Sequence, residues 1–154
     1  MFKEIERKFL LKNSSYQNYI TGSKKITQTY LYFNSGICRI RINDSKAFLT
    51  LKSRSEGIVR AEFEYEIPLT DAGEMMKNLA VSDPVSKIRY SCYFENKDWI
   101  VDIFEKENRG LAVTEVELEN ENEKVILPPW AGPEISLDHR YSNSSLAEKP
   151  FSKW

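Results

Sequence analysis

The feature that most constrains this fold is an alternation repeated along the whole chain: strand-forming runs with one apolar and one ionic face. The first is EIERKF at residues 4–9, where Glu4, Glu6 and Lys8 alternate with Ile5, Arg7 and Phe9. Side chains on a strand point to opposite faces in turn, so these three groups share one face, with about 6 to 7 Å between neighbours. Two carboxylates that close repel each other unless positive charge stands near them.

Other same-face sets are Arg39 with Arg41, Thr50 with Lys52, Arg60 with Glu62 and Glu64, Lys87 with Arg89, and Glu115 with Glu117. The opposite faces carry Ile5 and Phe9, Ile40 and Ile42, Phe63, Tyr65 and Ile67, Ile88 and Tyr90, Val116 and Leu118 and, less regularly, Phe48 and Leu51. A face that simply met water would mix Ser, Thr, Asn and Gln with its charges. Here each run carries a block of matched or repeated charge instead. Closing an antiparallel sheet of about eight strands into a barrel gathers these faces into one lumen, where opposite charges compensate.

Turn chemistry supports that topology. The runs EIERKFLL, KITQTYLYF, ICRIRIN, AFLTLKS, VRAEFEYEIPL, VSKIRYSCYF, WIVDIFE and LAVTEVELE are separated by hairpin signals at NSG 34–36, ND 43–44, SEG 55–57, ENKD 95–98 and NRG 108–110. Helical signals are few: TDAGEMMKNL at 70–79, with a Thr cap and acidic residues in its first turn, and short segments at 119–127 and 143–149. PPWAGP at 128–133 reads as a rigid turn. The expected class is α+β, mainly antiparallel β, with an eight-stranded closed barrel in a single domain spanning residues 1–154.

Composition narrows the function classes. With 41 % hydrophobic and 29 % charged residues the chain is neither disordered nor membrane-spanning, and no apolar leader opens it, so a cytoplasmic protein is expected. The formal net charge of −1 argues against a basic nucleic-acid binder. Cys38 and Cys92 are too few and too far apart for a zinc pattern or a disulfide scaffold, and read as small apolar side chains.

The lumen inventory points to a ligand. Lys8, Arg39, Arg41, Lys52, Arg60, Lys87 and Arg89 are seven cations, against the carboxylates of Glu4, Glu6, Glu62, Glu64, Glu115 and Glu117, with Asp102 as a seventh. Guanidinium pairs suit phosphate oxygens, and paired carboxylates suit Mg²⁺ or Mn²⁺, which bridge to substrate phosphates. Together they imply a polyphosphate chelate.

EIERKF also resembles the ExExK signature of the CYTH, or triphosphate tunnel metalloenzyme, superfamily. QTYL at 28–31, CRIRI at 38–42, LTLKS at 49–53, RAEFE at 60–64, KIRYS at 87–91, WIVDIFE at 99–105, TEVELE at 114–119 and LDHRYSN at 137–143 follow in the family's order. The resemblance implies an eight-stranded tunnel and divalent metal, with hydrolysis of inorganic, thiamine or nucleoside triphosphates or cyclisation of ATP. It implies Glu4, Glu6, Glu115 and Glu117 as metal ligands, with Asp102, Glu62 and Glu64 near the metals, and the seven cations as phosphate-binding positions. It further suggests that Tyr30 and Lys52 activate water, and that the segment from Ser142 to Trp154 forms a helix plugging one tunnel end, anchored by Leu146, Phe151 and Trp154. Thr29 stands where relatives commonly have Gly, and His139, the only histidine, where they often have Lys; it reads as a surface turn residue.

The expected function is metal-dependent hydrolysis of the terminal phosphate of a triphosphate, foremost inorganic tripolyphosphate, a small-molecule substrate. A class IV type adenylate cyclase, a thiamine or nucleoside triphosphatase, and a non-catalytic polyphosphate-binding module are the alternatives. The sequence leaves open the choice of Mg²⁺ or Mn²⁺ and the oligomeric state.

Overall fold

The alternating runs pair into a single antiparallel sheet that closes on itself. The computed structural model describes residues 2–32 and 35–154, so Asn34 of the first hairpin signal lies outside the described residues. The strands are β1 (Phe2–Leu11), β2 (Ile20–Tyr32), β3 (Gly36–Asn43), β4 (Lys46–Ser53), β5 (Val59–Ile67), β6 (Val85–Phe94), β7 (Lys97–Phe104), β8 (Ala112–Glu117) and β9 (Ala131–Glu134). Their order is β5-β4-β3-β2-β6-β7-β8-β1-β9, and a further pairing of β1 with β5 closes an eight-stranded barrel.

Strand β1 makes the closure. Its first half pairs with β5 (Glu4 opposite Arg60), and the stretch from Glu6 to Leu10 pairs with β8 (Glu6 opposite Glu117, Lys8 opposite Glu115). The hairpin turns carry the expected chemistry. Asp44, Glu95 and Asn96 adopt positive φ, as do Gly57 and Gly110, the conformation that tight turns demand of Gly, Asn and Asp.

Because the lumen is ionic, the apolar core lies outside the barrel wall and at one end of it. One cluster joins Ile5, Phe9, Trp99, Val101 and Val116 of the wall to Tyr16 and Trp130 of the segments covering it. A second packs Ile40 and Ala47 against Ala72 of helix α1 (Leu69–Leu79), with Met75 and Met76 beside them. A third gathers Tyr30, Val85, Phe104 and Val113 against Leu146 of helix α2 (Asn143–Glu148), so the C-terminal segment does cover one end of the barrel. Trp154 is 42 % exposed and stacks edge-on against Tyr141 and Phe151, so it braces that segment from outside. Among the described residues no helix is long and apolar enough to cross a membrane.

Four local expectations are corrected. Residues 119–127 form no helix. Asn120 Oδ1 accepts from the backbone N–H of Asn122, and Glu123 folds back to accept from the N–H of Glu119; such side-chain bonds compete with helical ones. PPWAGP is a turn only over its first half. Ala131 and Glu134 pair with Leu11 and Phe9, making a ninth strand on the edge of β1. A Cβ on Gly132 would meet the carbonyl oxygen of Leu10 at 2.8 Å, so this close pairing requires glycine. Helix α1 starts at Leu69 with Pro68 as its cap position and no side-chain cap, one residue ahead of Thr70; the fixed φ of proline pre-organises that entry. Phe48 stands opposite Arg41, with Thr50 opposite Arg39, and so shares the ionic face rather than the apolar one.

Leu146 is completely buried between α2 and the barrel end. Leu146→Ala should destabilise the fold by about 2 to 5 kcal/mol through lost burial and a residual cavity. Chemical denaturation would show it, and an unchanged midpoint would mean that α2 is not packed against the barrel.

Candidate functional site

The inward faces of the strands enclose a cavity of about 580 Å³. Glu4, Glu6 and Lys8 enter it from β1, Tyr30 from β2, and Arg39 and Arg41 from β3. Lys52 enters from β4, Arg60, Glu62 and Glu64 from β5, Arg89 from β6, and Glu115 and Glu117 from β8. Of the fifteen residues singled out in the sequence, thirteen therefore share one space; Lys87 and Asp102 do not line it and have no solvent exposure. Alternation on paired strands brings this about, because directly opposed residues point to the same side of a sheet.

The charges are organised into three groups. In the first, Lys52 Nζ donates to both carboxylate oxygens of Glu4 at 2.9 Å and lies 3.2 Å from Glu62, while Arg60 Nε donates to Glu4 Oε2 at 2.9 Å. Burial alone would raise the Glu4 pKa, but Lys52, a bond with Glu62 and Arg60 together hold it well below the usual carboxylate range. Burial, followed by the positive charge of Arg39, lowers the pKa of the Lys52 ammonium.

The second group is centred on Asp102. Arg89 grips it bidentately, with Nε and Nη2 each 2.8 Å from a carboxylate oxygen, and Lys87 Nζ donates to Oδ2 at 2.6 Å. Burial is outweighed by these two cations, and the Asp102 pKa is held far below its ordinary value. Held in this way, Asp102 anchors Arg89 and Lys87.

The third group lacks balance. Glu6 stands opposite Glu117, and burial followed by the charge of Glu115 pushes its pKa up to about 7, against the pull of Lys8. Lys8 itself pairs with Glu115 at 3.1 Å. On the facing wall, Arg39 Nη2 donates to Thr50 Oγ1 at 3.1 Å and lies 3.5 Å from Glu64, yet its buried Nε has no partner among the described residues. Arg41 has no hydrogen bond or ion pair among the described residues, and its Nε is also buried. Burial, then Arg39 and Arg89, lower its pKa to about 10. A buried guanidinium that no carboxylate touches is costly. The cavity thus holds carboxylates that favour a cation and guanidinium groups that favour an anion.

Among the described residues no group of three or more His, Cys, Asp or Glu forms a ready metal cage. The donor set nevertheless fits a hard divalent ion: Glu6, Glu115 and Glu117 offer oxygens only, and ions such as Mg²⁺ complete their shells with substrate phosphates and water.

The Tyr30 hydroxyl accepts from Gln28 Nε2 at 2.7 Å, inside the cavity wall, while the bonds of Lys52 run to Glu4 and Glu62. The alternation placed Thr50 beside Lys52 on the inward face but missed Gln28, which carries no charge although it stands opposite Arg41 on an inward-facing position of β2. It also missed Ser142, Asn143 and Ser144, which reach the cavity from the C-terminal segment. His139 is exposed in the turn at His139–Tyr141, as expected.

The description CYTH domain fits the chain over residues 3–149. The chain belongs to the CYTH domain family. An inorganic triphosphatase of Acetivibrio thermocellus is 39 % identical over 155 residues, covering 100 % of this chain and 99 % of its own. One of Nitrosomonas europaea is 34 % identical over 149 residues, covering 94 % and 96 %. The crystal structure of the inorganic triphosphatase NE1496 superposes with a TM-score of 0.66 at 32 % identity, covering 96 % of this chain and 95 % of that one. This CYTH chain therefore shares sequence and fold with these triphosphatases along nearly its whole length.

The raised pKa of Glu6 has a stability consequence with a definite sign. A carboxyl whose folded-state pKa exceeds its unfolded value stabilises the fold below the unfolded pKa and loses that contribution as pH rises through the folded one. For Glu6 the window runs from 4.5 to about 7. In metal-free protein, raising the pH through this window should lower the melting temperature, with a slope of up to about 1.4 kcal/mol per unit. Glu6→Gln should flatten the profile and be the more stable form at pH 8. Parallel profiles for the two proteins in EDTA would refute the effect.

Proposed function

We propose that this chain hydrolyses inorganic triphosphate to pyrophosphate and orthophosphate in its tunnel, with Mg²⁺ or Mn²⁺ as cofactor. The observation that carries this reading is Arg41, a guanidinium in the cavity wall with no hydrogen bond or ion pair among the described residues, beside Arg39, whose buried Nε has no partner among them either. An oligophosphate supplies what both lack, since its oxygens accept the planar fork of arginine. Full-length similarity to proteins named inorganic triphosphatase supports the same substrate.

Within this reading Arg39, Arg41, Arg60 and Arg89, with Lys8 and Lys52, bind and orient the phosphate chain and neutralise the leaving pyrophosphate. Glu6, Glu115 and Glu117, with Glu4 beside them, hold the metal, which supplies charge neutralisation at the phosphate oxygens. Glu62 and Glu64 act as partners of Lys52 and Arg39. Water attacks the terminal phosphorus as the bridging P–O bond breaks, and its proton passes to a base. Lys52 is the candidate base because burial and Arg39 already loosen its proton, and the Tyr30 hydroxyl, held by Gln28, orients the water.

Orthophosphate release from inorganic triphosphate, measured beside ATP and thiamine triphosphate with Mg²⁺, Mn²⁺ or EDTA, tests the proposal. Inorganic triphosphate should be the best substrate and EDTA should stop turnover; cyclic AMP formed from ATP, or binding without turnover, would replace it with another reading. Arg41→Lys keeps charge but loses the fork, and should raise KM about tenfold while leaving the melting temperature of the free protein near that of wild type. An unchanged KM with a lowered melting temperature would make Arg41 a structural residue.

Tyr30→Phe should lower kcat by ~10² with a small change in KM, the pattern of a lost proton-transfer contribution. A normal kcat and an unchanged pH–rate profile would remove Tyr30 from the chemistry and leave the phosphate-binding roles standing.

A further inference from the structure

One end of the cavity is lined by groups without formal charge. Ser142, Asn143 and Ser144 reach it from the junction between the turn at His139–Tyr141 and helix α2. The Ser142 hydroxyl is already engaged: it accepts from the backbone N–H of Ser145, donates to Ser145 Oγ at 2.8 Å and lies 3.3 Å from Ser144 Oγ. Asn143 is only half engaged. Its Oδ1 accepts from Lys87 Nζ at 3.0 Å, and its Nδ2 has no hydrogen-bond partner among the described residues.

Lys87 determines which way that amide faces. Its side chain has no solvent exposure, and its ammonium lies between Asp102 Oδ2 at 2.6 Å and the Phe104 ring, 5.3 Å from the ring centroid. An ammonium can only donate, so it holds the amide with oxygen inward and leaves both N–H bonds of Nδ2 on the other side. Asn143 borders the cavity and Lys87 does not. The segment that carries Asn143 is fixed in turn by the buried Leu146 and by Asn108 Oδ1, which accepts from the backbone N–H of Phe151 at 2.9 Å.

We infer that Asn143 is a substrate-contacting residue whose Nδ2 donates to an oxygen of the bound oligophosphate, and that Lys87 is a positioning residue acting through Asn143. The inference rests on the triphosphate reading above. It gives the C-terminal segment a part in recognition as well as in closing the barrel. A neutral donor bonds a phosphate oxygen without adding to the crowded positive charge, where burial and then Arg39 and Arg89 already depress the pKa of Arg41.

Two substitutions separate this role from a structural one. Asn143→Ala removes both bonds. Asn143→Asp keeps the shape and the acceptor for Lys87 but places a carboxylate where the ligand's oxygens would lie. If Asn143 serves only to satisfy Lys87, the aspartate, a stronger acceptor for an ammonium, should be tolerated better than alanine. If Nδ2 contacts phosphate, the order reverses.

The measurements are calorimetric titration with inorganic triphosphate in EDTA, steady-state kinetics with Mg²⁺, and ligand-free melting temperature. We expect affinity to fall about tenfold for Asn143→Ala and further for Asn143→Asp, with KM moving more than kcat. The ligand-free melting temperature of Asn143→Asp should stay near that of wild type. Lys87→Met should weaken binding, but add nothing in a chain already carrying Asn143→Ala. Wild-type affinity in Asn143→Asp, or a smaller loss for it than for Asn143→Ala, overturns the inference while leaving triphosphate hydrolysis in place. A wild-type protein that neither binds nor hydrolyses inorganic triphosphate removes the reading beneath it, and the inference with it.

Discussion

The double pairing of β1 is the constraint on which the rest depends. One strand joins β5 along one edge and β8 along the other, and so converts an open sheet into a closed wall. Without that closure, Glu4, Glu6 and Lys8 would lie on a solvated face, where water screens charge and pKa values stay ordinary. Inside the wall the same groups repel, pair and shift. Closure also inverts the usual arrangement of a small protein. Since the interior is ionic, apolar side chains must be buried outside the barrel, against α1, against the covering segments around Tyr16 and Trp130, and at the end closed by α2.

Within the wall, the three charge groups differ in how completely they are satisfied. Asp102 with Lys87 and Arg89 is a finished set, with every charge in contact and both Asp102 and Lys87 sealed from solvent. Glu4 with Lys52 and Arg60 is nearly so. Glu6, Glu115 and Glu117 on one wall, and Arg39 and Arg41 on the other, are left incomplete. The first two sets hold Arg89, Arg60 and Lys52 in place as they face the cavity, and the incomplete groups are where a metal–phosphate ligand would add the partners still lacking. This division separates the cavity groups that the protein itself positions from those that a ligand would complete.

Much of this was legible in the sequence because strand alternation is a strict rule: once a run is recognised as a strand, parity alone places Glu4, Glu6, Arg39, Arg41, Glu115 and Glu117 on one face. The hairpin signals added antiparallel order. What escaped obeys weaker rules. The acidic stretch at 119–127 has helix-compatible composition, yet Asn120 and Glu123 bind the backbone as a turn. Strand β9 is four residues long and contains Pro133, so it has no period to detect. The partner of a charge is a matter of distance across the lumen, which parity does not give; hence Asp102 could be placed with the lumen set but not recognised as the clasp of Lys87 and Arg89. Asn143, far along the chain and uncharged, had only its place within LDHRYSN to mark it.

The pairing of Glu6 with Glu117 and of Lys8 with Glu115 spans most of the chain. A contact of such sequence separation carries a large loop-closure entropy, and it can form only after the intervening hairpins have brought its ends together. The stretch of β1 from Glu6 to Leu10 is therefore among the last to be secured. During synthesis Glu6 and Lys8 must remain without their β8 partners until that strand has left the ribosome. The density of Glu, Lys and Arg on β1 then acts in a second way, keeping a waiting edge soluble and discouraging it from pairing with the edge of another unfinished chain.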